Sequence, residues 1–581
     1  MRLNVYRGPG RSRGARAGRL SRALRRVAPS LLRSPVRRIV QAGALCLFGV
    51  LFFHVCWPFQ GGAAAAAIEA KEFLDAETFL MLDPLVALAS AVAARAWVWA
   101  LAVSGGLLAV CLIVPRGFCG YLCPLGTLID LFDWLVGGRA KSLRVKRRGW
   151  WVHLRWFFLA AVLVAAGLGV QAAGFVAAIP VVTRGLQFVV SPLQVGLLKG
   201  WHLAGPIGAG QIVSVALFAL VGALGFLAPR FWCRYVCPTG AVFSAAALAR
   251  LTGRKVRSSC ISCGACAKVC SFDAIRADFT TRGTACTFCQ DCGGACPTGA
   301  IQFVGRWDAM DLKPAAAPAG GEVSLARRRF LASTLGGVAA GFGVSRVLGA
   351  SGVAAPPVRP PGSVPEETFQ ALCVRCGSCL RACPSGVLQP MGLRRGLAGL
   401  WTPHADTDFS GCDPTCNNCG HACPTGAIRA LPRDEKRAVR MGLAAVNETT
   451  CLPHAGRGEC AFCVEVCTHA GHKAIEFLRV GVEMDESGLP VEDTGLLAPV
   501  VLKDRCVGCG LCQARCHAIN VRQRHLLSAA AIQVEAGSGK EDRILRGSYR
   551  ALRRAAGKKP PGGAATSPST QPVGGGYDTD F

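Results

Sequence analysis

The chain has 581 residues, 31 of them cysteine, with 51% hydrophobic residues and a formal net charge of +30. That length allows several domains, and cysteines clustered in C-x-x-C-x-x-C triplets argue against a disulfide scaffold and for bound metal. The charge argues against a nucleic-acid site as well, because the basic groups lie beside apolar runs, where Lys and Arg mark the cytoplasmic side of a membrane protein.

Twelve arginines and no acidic residue precede position 39, a basic cytoplasmic N-terminus over 1–38. Four apolar stretches follow, roughly 39–58, 84–114, 156–179 and 206–229, with Arg95 inside the second. Each approaches or exceeds the roughly 20 residues that cross a bilayer. A helix in a large soluble core explains any one of them; four, each bordered by arginine, point to membrane spans. With the N-terminus inside, the basic groups at 139–148 and 250–257 fall on the cytoplasmic side. The loop 59–83, with Glu69, Glu72, Asp75, Glu77 and Asp83, falls on the other. Every basic cluster then obeys the positive-inside rule.

Within this expected membrane domain, 39–255, two cysteine pairs stand where spans emerge inside: Cys119 and Cys123 in "CGYLCPLG", Cys233 and Cys237 in "CRYVCPTG". The i,i+4 spacing puts both sulfurs of a pair on one helix face, and the proline marks the helix end. A shared metal, redox-active thiols and a place near a quinone all remain open readings. Burial of small side chains explains a pattern that occurs twice less well. Cys46, Cys56 and Cys111 have no companions and read as packing. His54 reads as an interfacial histidine before it reads as a partner for a quinol hydroxyl.

The next segment, 256–305, carries "CISCGACAKVC" and "CTFCQDCGGACP". Both have the C-x2-C-x2-C-x3-C spacing in which three thiolates wrap one [4Fe–4S] cube and the fourth ligates the other. The expected sets are Cys260, Cys263, Cys266 with Cys296, and Cys286, Cys289, Cys292 with Cys270. Four-cysteine zinc sites, the competing reading, show two C-x2-C pairs across a longer loop.

A linker, 306–325, leads to "ARRRFLASTLGGVAAGFG", which has the shape of a twin-arginine export signal placed in mid-chain. The segment 326–355 is glycine-rich, marginal as a permanent span, and offers a cut after Ala355. Iron–sulfur cubes are built in the cytoplasm, so a cube-bearing domain bound for the other side crosses folded, as twin-arginine cargo does. The bland alternative is a basic linker with everything cytoplasmic.

Four more motifs fill 356–524: Cys373, Cys376, Cys379, Cys383; then Cys412, Cys416, Cys419, Cys423; then Cys451, Cys460, Cys463, Cys467; then Cys506, Cys509, Cys512, Cys516. These make four further cubes, six in all. The motif glycines are expected to let backbone approach the clusters closely. Neither a dinucleotide loop nor a C-x-x-C-H haem site stands out. The basic, then Gly/Pro/Ser-rich tail, 525–581, is expected to be disordered.

The four spans, the two C-x3-C-P pairs and the two-cluster ferredoxin together resemble the NapH family, a membrane quinol-dehydrogenase subunit. From Arg327 the chain resembles the NapG and MauM family of twin-arginine polyferredoxins, through "RRFL", "RPPGSV" before "CVRCGSCLRACP", and "RMGLA" before the third motif. The chain thus looks like a fusion of the two. It departs from the family in its second motif, C-x3-C-x2-C in place of C-x2-C-x4-C, and in Thr468 and His517 where proline often follows the fourth cysteine. The resemblance implies that motif one pairs with four and two with three, whereas sequence alone equally allows neighbours to pair.

The expected fold is a membrane α-helical domain of four spans, with a fifth if the central signal stays as an anchor, joined to α+β ferredoxin-like domains. The expected place is the bacterial inner membrane, multi-pass, with the first ferredoxin domain cytoplasmic and the four-cluster domain periplasmic. The expected function is electron transfer from quinol through the cubes to a periplasmic acceptor protein of nitrate reductase type. The alternative is a redox factor for maturation or reactivation of a metalloenzyme.

Overall fold

The computed structural model describes residues 33–56, 78–137, 145, 150–198, 200–201, 205–313, 320–349, 356–393, 396–485, 487, 491 and 494–557. Glu69, Glu72, Asp75, Glu77, Ala355, most of the basic group at 139–148, and the side chains of His54, Cys56 and Arg327 lie outside them. Three described segments are long and apolar enough to cross a membrane: Pro35–Phe53, Ala209–Phe226 and Arg328–Leu348. They belong to helices α1 (Pro35–Cys56), α7 (Ala209–Ala223) and α9 (Gly320–Gly349).

Two of the expected spans are broken. The stretch 84–114 divides into α2 (Pro84–Ala94) and α3 (Trp99–Ile113). Arg95 is the cause: it closes α2 in the left-handed conformation, φ 49°, and the chain is extended at Val98 before α3 starts. The α2 helix is apolar all round, as suits a buried helix, and Leu85, Ala87 and Ala89 have no exposed surface. The stretch 156–179 ends early as α5 (Leu154–Gly167), followed by Gly169 at φ 84°. The chain resumes as α6 (Ala178–Leu198), whose polar Thr183, Arg184 and Gln187 are buried.

The long α9 carries the twin arginines, Arg328 and Arg329, exposed near its start. It runs in the same direction as α5. Ser333 Oγ donates to His153 O at 2.9 Å, and Phe330 packs edge-on to Trp156 at 5.6 Å. Further along, a Cβ at Gly337 would lie 2.3 Å from Phe157 O, and one at Gly341 would lie 2.8 Å from Ala161 O. Two glycines four apart let the backbones close up, the small-xxx-small packing of membrane helices.

The cysteine-rich parts are built on short antiparallel hairpins. β1 (Thr252–Val256) pairs with β2 (Ile301–Gly305) around the first two motifs. In the C-terminal part β3 (Leu388–Pro390) pairs with β4 (Pro403–Ala405), and β6 (Ile475–Val480) with β7 (Leu496–Val501). β5 (Leu443–Val446) pairs with β8 (Ile532–Glu535). The expectation of a disordered tail over 525–581 is therefore corrected for 525–557, and 558–581 lie outside the described residues. β8 closes the domain, and α11 (Tyr549–Gly557) follows, with Tyr549 fully buried against Leu431 and Val439. Alternation in "IQVE" is too short to stand out in a basic, polar segment.

The two cysteine-rich parts meet opposite ends of α1. At its start, Ser34 Oγ donates to Cys289 O at 2.6 Å and Arg37 pairs with Asp291 at 2.5 Å. Near its end, the Arg381 guanidinium lies 4.6 Å from the Phe52 ring centroid. Fifteen residues of helix separate Arg37 from Phe52, about 22 Å at 1.5 Å per residue. The C-terminal part also shares its core with α2, where Ala87 packs with Phe369, Leu372 and Cys373. Phe369 and Leu372 lie on α10 (Glu366–Leu372).

Candidate cluster sites and a buried cysteine quartet

In the first ferredoxin part the expected exchange of fourth cysteines is the arrangement found. Cys260, Cys263, Cys266 and Cys296 line one cavity. Cys270, Cys286, Cys289 and Cys292 line a second. The chain wraps each cavity through left-handed residues, Ser262 and Gly264 at one, Phe288 and Gln290 at the other. Arg254 borders both cavities. Its Nε donates to Cys292 Sγ at 3.3 Å. Burial pushes the Cys292 thiol up to about 12, and the charge of Arg254 opposes that rise. In the sequence Arg254 looks like one more topology-setting charge. Its position on β1, facing Phe303 across the hairpin, is what turns it inward.

The C-terminal part pairs neighbours, and this corrects the pairing that the family resemblance implied. Cys373, Cys376 and Cys379 face Cys423. Cys412, Cys416 and Cys419 face Cys383. Cys506, Cys509 and Cys512 line a cavity with Cys467. Cys451, Cys460 and Cys463 gather with Cys516, and Asn520 Nδ2 lies 3.7 Å from both Cys460 Sγ and Cys516 Sγ. Motif one is thus paired with two, and three with four, with the shorter loop closures that cost less entropy. The replaced prolines leave Cys467 and Cys516 in their exchange positions.

These four sites stand in order. The Cys412 amide donates to Cys509 O at 2.7 Å, which joins the second site to the third. Gly508, at φ 66°, lets the fourth motif approach Gly442, whose carbonyl oxygen would be 2.3 Å from an added Cβ. At the other end of the row, Thr183 Oγ1 donates to Cys376 O at 3.2 Å and Arg184 Nη1 to Arg375 O at 2.8 Å. The first of the four sites therefore rests on α6. Burial raises several of these thiols, Cys373 to about 11, Cys416 to about 12 and Cys509 to about 12. Binding metal at such thiols displaces protons. Lys436, 7% exposed, faces Cys412 and Cys419 and donates to Asp413 O. Neither Lys436 nor Asn520 had a sequence signal, since each lies outside the cysteine motifs.

The C-x3-C-P pairs prove to be halves of an internal repeat. "PRGFCGYLCPLG" at 115–126 and "PRFWCRYVCPTG" at 229–240 superpose in conformation as well as in sequence. In each, an arginine at positive φ (Arg116, 54°; Arg230, 53°) precedes a π-helical turn, Phe118–Leu122 or Trp232–Val236. Such turns recur at functional sites. Cys123 and Cys237 then adopt extended backbone and cap the following helices, α4 (Pro124–Phe132) and α8 (Pro238–Ala246). The proline thus opens a helix rather than closing one. The halves interlock: Arg230 Nη1 donates to Cys119 O at 3.0 Å and Arg116 Nη2 to Cys233 O at 3.5 Å. Phe118 stacks on Phe243 with centroids 5.4 Å apart. Cys237 faces Cys233, Cys119 and Cys123, so the two pairs form one quartet. Cys111 is buried in the same core and Cys46 is exposed.

Comparison with known proteins places these geometries in a family context. A model described as a 4Fe-4S binding domain matches residues 96–143, 210–257 and 419–441, and a second of that description matches 255–276. The chain is 37% identical over 200 residues to the methylamine utilization ferredoxin-type protein MauM of Methylophilus methylotrophus, covering 32% of this chain and 76% of that protein. It is 34% identical over 203 residues to the ferredoxin-type protein NapG of Escherichia coli, covering 33% and 80%. It is 29% identical over 248 residues to the ferredoxin-type protein MauN of Paracoccus denitrificans, covering 40% and 74%. No solved structure matches.

Proposed function

Because the chain belongs to the ferredoxin-type family of MauM and NapG, an iron–sulfur electron-transfer family, we propose that it is a membrane-anchored relay. It takes electrons from quinol and delivers them to a periplasmic acceptor protein, such as an enzyme of nitrate reductase type. The observation that carries this reading is the row of four cysteine sites whose first member rests on the membrane-domain helix α6.

The residues present fit [4Fe–4S] cubes. Each ferredoxin site offers three cysteines of one motif and the fourth of its partner, as two-cluster ferredoxins do. Arg254 Nη2 is buried without a hydrogen-bond partner at the border of both N-terminal cavities, a donor that an anionic cluster satisfies. Bound cubes supply one-electron transfer. The protein holds them in order, keeps water from the buried thiolates, and tunes them through hydrogen bonds and charge near sulfur. Arg254 and Lys436 place positive charge beside the thiolates, which favours the more negative, reduced state. The contacts at opposite ends of α1 support two sites inside and four outside. The close fit of Gly337 and Gly341 against α5 supports a central signal retained as a helix. On this reading the chain joins a NapH-like membrane part to the polyferredoxin.

Anaerobically purified protein in liposomes tests this with a reduced quinol analogue, following cluster reduction by EPR alongside an iron count. Rapid reduction, with at least about 24 irons per chain (six cubes of four irons), is the expected result. A full iron complement that quinol does not reduce overturns the quinol donor and leaves the maturation reading.

A further inference from the structure

Among the described residues, the quartet is the group of convergent cysteines that the six-cube account leaves without a task. We propose that Cys119, Cys123, Cys233 and Cys237 together ligate one more [4Fe–4S] cluster, held between the two halves of the membrane-domain repeat. This rests on the reading that the ferredoxin sites hold cubes, because the quartet is inferred to exchange electrons with them.

Four observations carry it. The sequence repeat supplies two thiols from each half, and the reciprocal Arg116 and Arg230 bonds to the cysteine carbonyls lock the halves face to face. The 4Fe-4S model matches 96–143 and 210–257, each containing one pair and neither containing four ligands. Only the tertiary fold completes the set. All four thiols lie in one apolar core, Cys123 and Cys237 buried and Cys119 and Cys233 packed against it. Finally, buried donors surround it without partners. Arg116 Nε, on a residue 1% exposed whose Nη2 donates to Cys233 O, makes no hydrogen bond, nor does Arg155 Nε beside Cys119 and Cys237. Orphaned donors of this kind call for an anion, and a cysteine-ligated cube is one.

Position gives the cluster a role. On one side Gly120 lies against Thr287, 3.1 Å from an added Cβ, and Tyr121 Oη donates to Phe288 O at 2.6 Å, within the second ferredoxin site. On the other side Thr239 Oγ1 donates to Asp83, the cap of α2, and α2 packs on Cys373. The quartet thus lies between the paired sites near the start of α1 and the row of four near its end. The step is one electron gained from one neighbouring site, which is oxidised, and one electron lost to the other, which is reduced. No bond breaks and no proton moves.

The test is an iron and acid-labile sulfide count with EPR on the anaerobically purified full chain. We expect about 28 irons in the wild type (seven cubes of four irons), about 24 in Cys119→Ser/Cys237→Ser, and no loss in Cys111→Ser, the packing control. A wild type that saturates at about 24 irons with intact ferredoxin signals overturns this proposal and leaves the relay standing, even if the double variant does not fold. A wild type without cluster signals overturns the relay itself.

Discussion

Asp130 on α4 shows what single residues do in this protein. Its carboxylate pairs with Arg230 at 2.5 Å, Arg37 at 2.9 Å and Arg38 at 3.1 Å. It thereby ties α1 to the second half of the repeat. Burial would raise its pKa, but Arg230, then Arg37 and Arg38, hold it well below the usual carboxylate range. Arg37 and Arg230 are 1% and 0% exposed. Asp130→Asn strands the buried Arg230 charge, while Arg37 keeps its pair with Asp291, and removing one partner of a buried pair costs about 3–5 kcal/mol. The expected outcome is a lowered Tm in detergent for Asp130→Asn, against little change for a surface control such as Glu476→Gln, whose pair with Arg505 is exposed. In the sequence Arg37 is one of the twelve arginines of a basic N-terminus, and Arg230 carries no signal of its own. Their acidic partner is distant in the chain, so nothing local reveals it.

At the scale of elements, α9 is the one whose meaning changes most with packing. As a sequence, "GGVAAGFG" is glycine-rich and only modestly apolar. As a helix, its Gly337 and Gly341 are the close contact with α5. Gly341→Leu places a side chain where Val164 Cβ already stands 2.7 Å from an added Cβ. The expected outcome is a helix displaced from α5, read as faster limited proteolysis between α9 and the C-terminal domain. Gly343→Leu, at a position with nothing within 4 Å of the added Cβ, is expected to leave the digestion pattern unchanged. The broken spans at Arg95 and Gly169 teach the reverse lesson. Hydropathy registers a continuous apolar run, whereas a single left-handed residue is enough to end a helix.

At the scale of the whole molecule, the C-terminal domain is closed by contacts between its first and last segments. Glu366 on α10 takes Arg359 at 2.6 Å and Arg543 at 2.6 Å. Burial would raise its pKa, but Arg359, with Gln370 and Arg543, lowers it from 4.5 to about 2. A depressed carboxylate stabilises the fold above its unfolded value, and that stabilisation is lost as pH falls from 4.5 toward 2. The expected outcome is a denaturation midpoint that drops between about pH 5 and pH 3, by less in Glu366→Gln than in the wild type.

The sequence by itself determined which cysteines fall into ferredoxin-type motifs, that two motifs precede α9 and four follow it, and that the first two motifs exchange their fourth cysteine. Fixed spacing within one short turn dictates those, because three thiols on one loop can wrap only one centre. Tertiary structure decided the rest: that motif one pairs with two, that Arg254 and Lys436 turn inward, and that two distant C-x3-C-P pairs converge on one site. Each joins residues far apart in the chain, and local spacing carries no information about which distant surface a segment buries.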